Sequence, residues 1–290
     1  MNAVVVGAGA WGTAFAHLLR ERAHDVTLVG RDGIDSAPYD RADLVVLAVP
    51  SHAFRDVLTR IGGGAPILSL AKGLDPATGE RLSTLVTDRP VAVLSGPNMA
   101  EEVLAGLPGA TVIASDDAEL AVRLQHAVNS LVFRVYVNED VVGVELCGAA
   151  KNVIALAAGG VDGLGLGDNA KAALITRGLV EMARLGEAFG AQPETFSGLA
   201  GMGDLMVTCF HPSGRNRRAG ELIARGATGD EARAEIGQAV EGLTTAPVLR
   251  DVSHRIGVEL PITEGVCAVL DGMPLHELAE SLMGRRPTEE

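Results

Sequence analysis

Lys151 and Asn152 stand inside Cys147-Gly-Ala-Ala-Lys-Asn-Val-Ile-Ala-Leu-Ala-Ala, a run that is otherwise apolar. A lysine in so apolar a helix either snorkels to solvent or works in a pocket. In a pocket its pKa falls, and the amine becomes a usable general acid or base. Lys72-Gly73 follows the apolar run Ile67–Leu70, at the carboxyl end of a candidate parallel strand, where ligands of such folds gather. Gly96-Pro97-Asn98 follows another such run and opens a helix; its N–H groups and the Asn98 amide either meet a ligand or form an ordinary N-cap. Gly201-Met-Gly203-Asp204 reads as a glycine-rich turn that aims one carboxylate, or as another helix cap. Ser213-Gly214-Arg215-Asn216-Arg217-Arg218 sets three arginines and an asparagine at a helix start. That pattern suits bidentate phosphate binding, or else a solvated basic face.

The elements that must position these groups begin at the amino terminus. Val4-Val-Val-Gly-Ala-Gly-Ala-Trp-Gly12 runs an apolar strand into Gly7-x-Gly9-x-x-Gly12. Gly7 allows the tight turn, Gly9 lets backbone N–H groups approach a pyrophosphate, and Gly12 lets the next helix pack close. A helix from Thr13 to about Ala23 and a strand Asp25–Val29 complete a dinucleotide-binding unit. Further strand-like runs fall at Leu44–Val49, Ile67–Leu70, Val91–Leu94, Thr111–Ala114 and Phe133–Val137. Most are continuously apolar, as strands covered on both faces are. Residues 1–138 therefore read as an α/β, Rossmann-like, mostly parallel sheet. Beyond Glu139 the strand signals stop. Ile175, Leu179, Met182 and Phe189 repeat at helical spacing among Lys171, Arg177, Glu181 and Arg184, and prolines punctuate later segments. Residues 139–290 read as an all-α carboxyl-terminal domain whose first helix, near Val141–Ala158, docks directly on the sheet.

The first half of the sheet is shortened. Only residues 32–43 separate the second strand from the third, with little room for a crossover helix. The chain can still cross the first strand and pair beyond it, since that takes about 10 Å. The gap is either a harmless deletion at a sheet edge or a more open adenosine pocket. Composition narrows the rest. A net charge of −13 argues against nucleic-acid binding. Cys147, Cys209 and Cys267 have no paired spacing, which with the absence of a leader suggests a reducing, cytoplasmic setting. No apolar run approaches the roughly 20 residues of a membrane helix. The seven histidines are scattered, and no metal site, nucleophile elbow or Walker A motif appears.

Together the motifs resemble the NAD(P)-dependent sn-glycerol-3-phosphate dehydrogenase family. The resemblance rests on GAGAWGTA at 7–14, VPSH at 49–52, AKGL at 71–74, SGPNMAEEV at 95–103 and GAAKNVIA at 148–155. It continues through NAKAALITRGLVEM at 169–182, GMGDLMVTC at 201–209, GRNRR at 214–218 and VEG at 240–242. It implies NADP or NAD as cofactor, dihydroxyacetone phosphate and glycerol 3-phosphate as substrates, a role in glycerophospholipid synthesis, and often a homodimer. It implies Lys151, Lys72 and Asp204 as the catalytic groups, with Asn152 and Thr208 beside them. Gly96, Asn98, Gly214, Arg215 and Asn216 would complete the substrate site, Arg215 and Asn216 as phosphate clamp. The cofactor would meet Gly7, Gly9, Ala10, Trp11 and Gly12, then Lys72, Ala100, Arg215, Val240 and Glu241. Three departures stand out: the short 32–43 segment, which could lower cofactor affinity, Gly214 where many bacterial members carry Ser, and Asn98 where many carry Ser or Thr.

Arg31 joins the cofactor set on chemical grounds. Val29-Gly30-Arg31 puts no carboxylate at the tip of the second strand, and Arg31 can pair with a 2′-phosphate, so NADPH is the expected preference. Asp32, one residue on, is the group that could reverse it. Two other readings compete: a 2- or 3-hydroxyacid dehydrogenase of similar build, and a non-catalytic NAD(P)H-binding protein. GRNRR and GMGD weigh against the first, and Lys72, Lys151, Asp204 and Arg215 against the second.

Overall fold

A computed structural model describes residues 1–278. All seven apolar runs are strands: β1 (Asn2–Val6), β2 (Asp25–Val29), β3 (Leu44–Leu47), β4 (Ile67–Ser69), β5 (Val91–Ser95), β6 (Gly109–Ala114) and β7 (Phe133–Asn138). They form one sheet in the order β2-β1-β3-β4-β5-β6-β7. Strands β1 to β5 run parallel; β6 is antiparallel to β5, and β7 parallel to β6. Val5, Val46 and Leu68 are wholly buried, because helices cover both faces. β3 ends two residues before the expected Val49, because Pro50 caps the next helix and pulls the chain off the sheet.

Helices α1 (Ala10–Glu21), α2 (Ser51–Thr59), α3 (Ala100–Leu104) and α4 (Ala118–Val128) connect the strands. α1 begins three residues before the expected Thr13: Gly9 is its N-cap, and the Thr13 N–H already donates to the Gly9 carbonyl at 2.9 Å. The short segment holds no crossover helix. Two 3-10 turns, Arg31–Ser36 and Tyr39–Arg41, replace it, and their Ile34 and Tyr39 pack with Val29, Phe54 and Val57. β3 accordingly pairs on the far side of β1, with Val45 opposite Val4, and β2 is left as the edge.

The second half is helical: α5 (Val141–Gly163), α6 (Gly167–Ala188), α7 (Pro193–Ser197), α8 (Asp204–Phe210), α9 (Arg215–Ala224), α10 (Gly229–Ile236), α11 (Glu241–Ile256) and α12 (Pro261–Leu270). Only two residues separate β7 from α5. Asp140 caps α5 by accepting from the Gly143 N–H at 2.8 Å, and its other oxygen accepts from Thr195 Oγ1 at 2.6 Å. α5 corrects the reading of the apolar runs. It has 23 residues and an 18-residue stretch of mean hydropathy 1.6, long and apolar enough to span a membrane, yet 89% of that stretch is buried within this fold. A helix apolar all round is one surrounded by other helices. Its cluster joins Val144, Val153 and Ile154 to Val93 and Val112 of the sheet, so the halves share one core.

Two helical expectations also change. Ile175 and Met182 face the core as their spacing requires, but Phe189 follows the end of α6 and is 37% exposed. Lys171 and Glu181, two of the charged residues interspersed in that repeat, are buried. Pro247 lies within α11 rather than at its edge. Residues 279–290 of the expected second domain lie outside the described residues.

Candidate active site

The glycine turn packs tightly on one side and is open on the other. Gly7 has φ +112°, and a Cβ there would lie 2.3 Å from the Ala48 carbonyl oxygen; one on Gly12 would lie 3.0 Å from the Ala48 Cβ. A Cβ on Gly9 would meet nothing within 4 Å, and no side chain caps α1 there. The first N–H groups of α1, from Ala10 onward, thus border an open cradle, a donor set that fits a pyrophosphate. Trp11 beside it packs on Phe15 and Phe133, and its Nε1 is buried without a partner among the described residues.

The carboxyl edge of the sheet meets α5 and α8 at a single carboxylate. Lys151 Nζ donates to Asp204 Oδ1 at 2.6 Å and to Thr208 Oγ1 at 2.7 Å. Lys72 Nζ donates to the other oxygen, Oδ2, also at 2.6 Å, and to Asn98 Oδ1 and the Gly96 carbonyl at 3.2 and 3.3 Å. Asp204 is aimed by the glycine-rich turn, the first of the two readings, and is not the N-cap of α8, which is Gly203. A π-helical turn, Leu199–Gly203, delivers it as the first residue of α8. Asn98 is not a cap either, since Met99 precedes α3; its Nδ2 donates to Thr111 Oγ1 at 3.1 Å instead.

Burial sets the electrostatics. It pushes the Lys151 ammonium down to about 8, with Asp204 pulling back and Lys72 pushing further down. Burial also pushes Asp204 up, but the two ammonium groups outweigh it and hold the carboxyl below its usual value. The Lys151 amine therefore sits where it can both give and take a proton near neutrality.

Amide side chains extend the site toward α9 and α11. Asn152 Nδ2 donates to the Lys72 and Gly148 carbonyls at 3.2 and 3.1 Å. Its Oδ1 accepts from Asn216 Nδ2 at 2.9 Å, and Asn216 Oδ1 accepts from the Gly242 N–H at 2.8 Å. Gly214 caps α9, and Arg215, its first residue, is exposed and donates to the Ala239 carbonyl at 3.0 Å. Arg217 is not part of a free basic face: Asp162 and Glu221 pair with it at 2.7 and 2.8 Å. Glu241 opens α11, and its carboxylate accepts from the Ser51 N–H at 3.2 Å and Ser51 Oγ at 2.6 Å, across the two halves. Val240 before it is buried, Ala100 is the first residue of α3, and Arg31 and Asp32 are both exposed.

Sequence reasoning missed Ser51, which holds Glu241, and Ser95, whose Oγ donates to Asp204 Oδ2 at 3.4 Å. Each lies at or just beyond the carboxyl end of a strand, and that position was the available signal.

A dinucleotide turn, a mostly parallel sheet and a buried lysine–carboxylate array in a helical half define a two-domain NAD(P)-dependent oxidoreductase. The family models for the amino- and carboxyl-terminal parts of NAD-dependent glycerol-3-phosphate dehydrogenase match residues 36–121 and 140–280. The chain belongs to that family. Glycerol-3-phosphate dehydrogenase [NAD(P)+] of Geobacillus thermodenitrificans is 42% identical over 331 positions, covering 100% of this chain and 96% of the relative. That of Gloeobacter violaceus is 43% identical over 302 positions, covering 100% and 99%. A crystal structure of the Coxiella burnetii glycerol-3-phosphate dehydrogenase has a TM-score of 0.92 at 36% identity, over 98% of this chain and 99% of that one. An alignment of 331 positions exceeds the 290 residues present, so the Geobacillus relative carries residues that this chain lacks. The Gloeobacter relative is nearly as compact. A ketopantoate reductase model also matches, over residues 3–59 alone, the stretch that holds the dinucleotide turn.

Proposed function

We propose that the chain reduces dihydroxyacetone phosphate to sn-glycerol 3-phosphate, reversibly, with NADPH preferred over NADH. Residues 1–138 would bind the dinucleotide and residues 139–290 the substrate. The setting would be the cytoplasm, the product would feed glycerophospholipid synthesis, and the assembly would be a homodimer. The observation that carries the reading is the pair of ammonium groups, Lys151 and Lys72, on opposite oxygens of buried Asp204.

The nicotinamide, when bound, supplies the hydride in one direction and accepts it in the other. Lys151 donates a hydrogen bond to the carbonyl oxygen of the substrate and passes it a proton as negative charge develops there. Asp204 keeps both ammonium groups aimed, and Thr208 fixes the Lys151 Nζ from a second side. Lys72 adds a second positive charge at the reacting end, with Gly96, Asn98 and Asn152 around it. Arg215 and Asn216, with the Gly214 backbone, clamp the phosphate, so remote binding energy orients the carbonyl. Gly7, Gly9, Ala10, Trp11 and Gly12 hold the pyrophosphate end. Ala100, Val240 and Glu241 line the cofactor from the helical side, and Arg31 takes the 2′-phosphate.

The test is oxidation of reduced cofactor by the purified protein on adding dihydroxyacetone phosphate, with 2-ketopantoate in parallel. Saturable oxidation with the phosphate ester alone is expected. Turnover of the 2-oxo acid without the phosphate ester would overturn the reading.

A further inference from the structure

Asp162, near the end of α5, lies outside the site, yet it gathers two cations. Its Oδ2 accepts from Lys171 Nζ and from Arg217 Nε, each at 2.7 Å. Arg217 also donates through Nη2 to Glu221 Oε1 at 2.8 Å and through Nη1 to the Pro212 carbonyl at 3.3 Å. Lys171 Nζ stands 4.7 Å over the Phe210 ring. Both cations are mostly buried, with side-chain exposures of 6% for Lys171 and 15% for Arg217. The hub therefore joins the end of α5, the start of α6, the end of α8 and the first turn of α9. These elements surround residues 211–214, the turn that leads into Arg215.

The backbones leave this turn little slack. A Cβ on Gly159 would lie 1.8 Å from the Arg217 carbonyl oxygen, and one on Gly220 would lie 2.0 Å from that of Leu156. α9 thus lies directly on the α5 backbone. Arg215 and Arg217 are two positions apart, about 200° around the helix, so they leave it on opposite sides. One arginine anchors the helix while the other is presented.

We propose that Asp162 is a positioning residue for phosphate recognition. By pinning Arg217 and Lys171 it fixes the 211–214 turn, and with it the angle at which α9 presents Arg215. It also withdraws the Arg217 charge from the substrate, leaving Arg215 as the cation of the clamp. This rests on the reading of Arg215 as that clamp.

The experiment compares dihydroxyacetone phosphate with dihydroxyacetone, which lacks the phosphate, in the full-length protein. Asp162→Asn is expected to raise KM for the phosphate ester about 10-fold, while kcat/KM for dihydroxyacetone changes by less than about twofold. Adding Asp162→Asn to Arg215→Ala is expected to cause no further loss, because both act through one group. Equal losses with both substrates, or additive effects in the double variant, would make the hub a general structural support and overturn the proposal. Arg215→Ala with an unchanged KM would sink the clamp reading itself. A raised KM in Arg215→Ala beside an unchanged KM in Asp162→Asn would sink this inference alone. If Asp162→Asn does not fold, Arg217→Gln, which leaves Asp162 paired with Lys171, carries the same comparison.

Discussion

Lys151 and Asp204 meet at 2.6 Å inside the fold, across 53 residues of chain. Burial with an incomplete electrostatic return leaves the Lys151 ammonium near 8. With Lys151 as the proposed general acid, reduction needs the ammonium and oxidation the free amine. The reductive kcat/KM should therefore fall as pH rises through about 8, and the oxidative one should rise across the same range. The two profiles, measured with each substrate, check this; slopes of the same sign in both directions would contradict it. Stability follows the same group. The folded pKa lies below the unfolded one, so the unfolded chain binds more protons between them. This group's contribution to stability therefore rises with pH from about 8 to its ordinary value.

Asp204→Asn should damage both stability and rate. It leaves two mostly buried ammonium groups sharing no carboxylate. The expected cost is about 3–5 kcal/mol of folding free energy, with kcat reduced at least a hundredfold or so. Thermal melting and steady-state kinetics read the two effects; a variant of unchanged Tm and kcat would refute the role of the carboxylate.

Arg215→Ala should raise KM for dihydroxyacetone phosphate. Losing one charge-assisted phosphate contact costs about 1.5–3 kcal/mol, or roughly ten- to a hundredfold in KM. Cofactor affinity, measured by fluorescence titration, should fall less. Untouched substrate kinetics would place the clamp elsewhere.

Much of this arrangement was legible in the sequence, for identifiable reasons. Inner strands covered on both faces read as apolar runs, the edge strands β2 and β7 showed through their β-branched and aromatic residues, and the room left by residues 32–43 foretold a sheet without the usual crossover helix. Lys72, Lys151, Asn152 and Asp204, which the fold brings together, stood out as polar groups in apolar or glycine-rich settings, whereas Thr208, Val240 and Glu241 were marked only by the family resemblance. What was hidden depended on partners distant in the chain. Nothing local marks Ser51 as the partner of Glu241, 190 residues away, and nothing local pairs Arg217 with Asp162. Helical spacing reported one apolar stripe on α6 but was silent on its other neighbours, so it gave no sign that Lys171 and Glu181 are buried. The end of α5 was placed five residues early, at Ala158, because Gly159, Gly160 and Gly163 are poor helix formers; packing against α9 keeps the helix going through them.

Cofactor choice should turn on Arg31. It is exposed at the start of a 3-10 turn, beside Gly30, where no carboxylate waits for a ribose hydroxyl. NADPH should show the higher kcat/KM in the wild type, and Arg31→Ala should lower that preference about tenfold, the value of one charge-assisted phosphate contact. An NADH preference unchanged in Arg31→Ala would assign the choice to Asp32.

In the proposed mechanism Lys151 acts on the substrate carbonyl and not on the nucleotide. Turnover of dihydroxyacetone phosphate and binding of NADPH should therefore be measured side by side in wild type and Lys151→Ala. A loss of roughly a thousandfold or more in kcat is expected with NADPH affinity nearly unchanged, because proton delivery and charge stabilisation vanish together. Near-normal turnover in Lys151→Ala, or a loss explained by failure to bind NADPH, would contradict it.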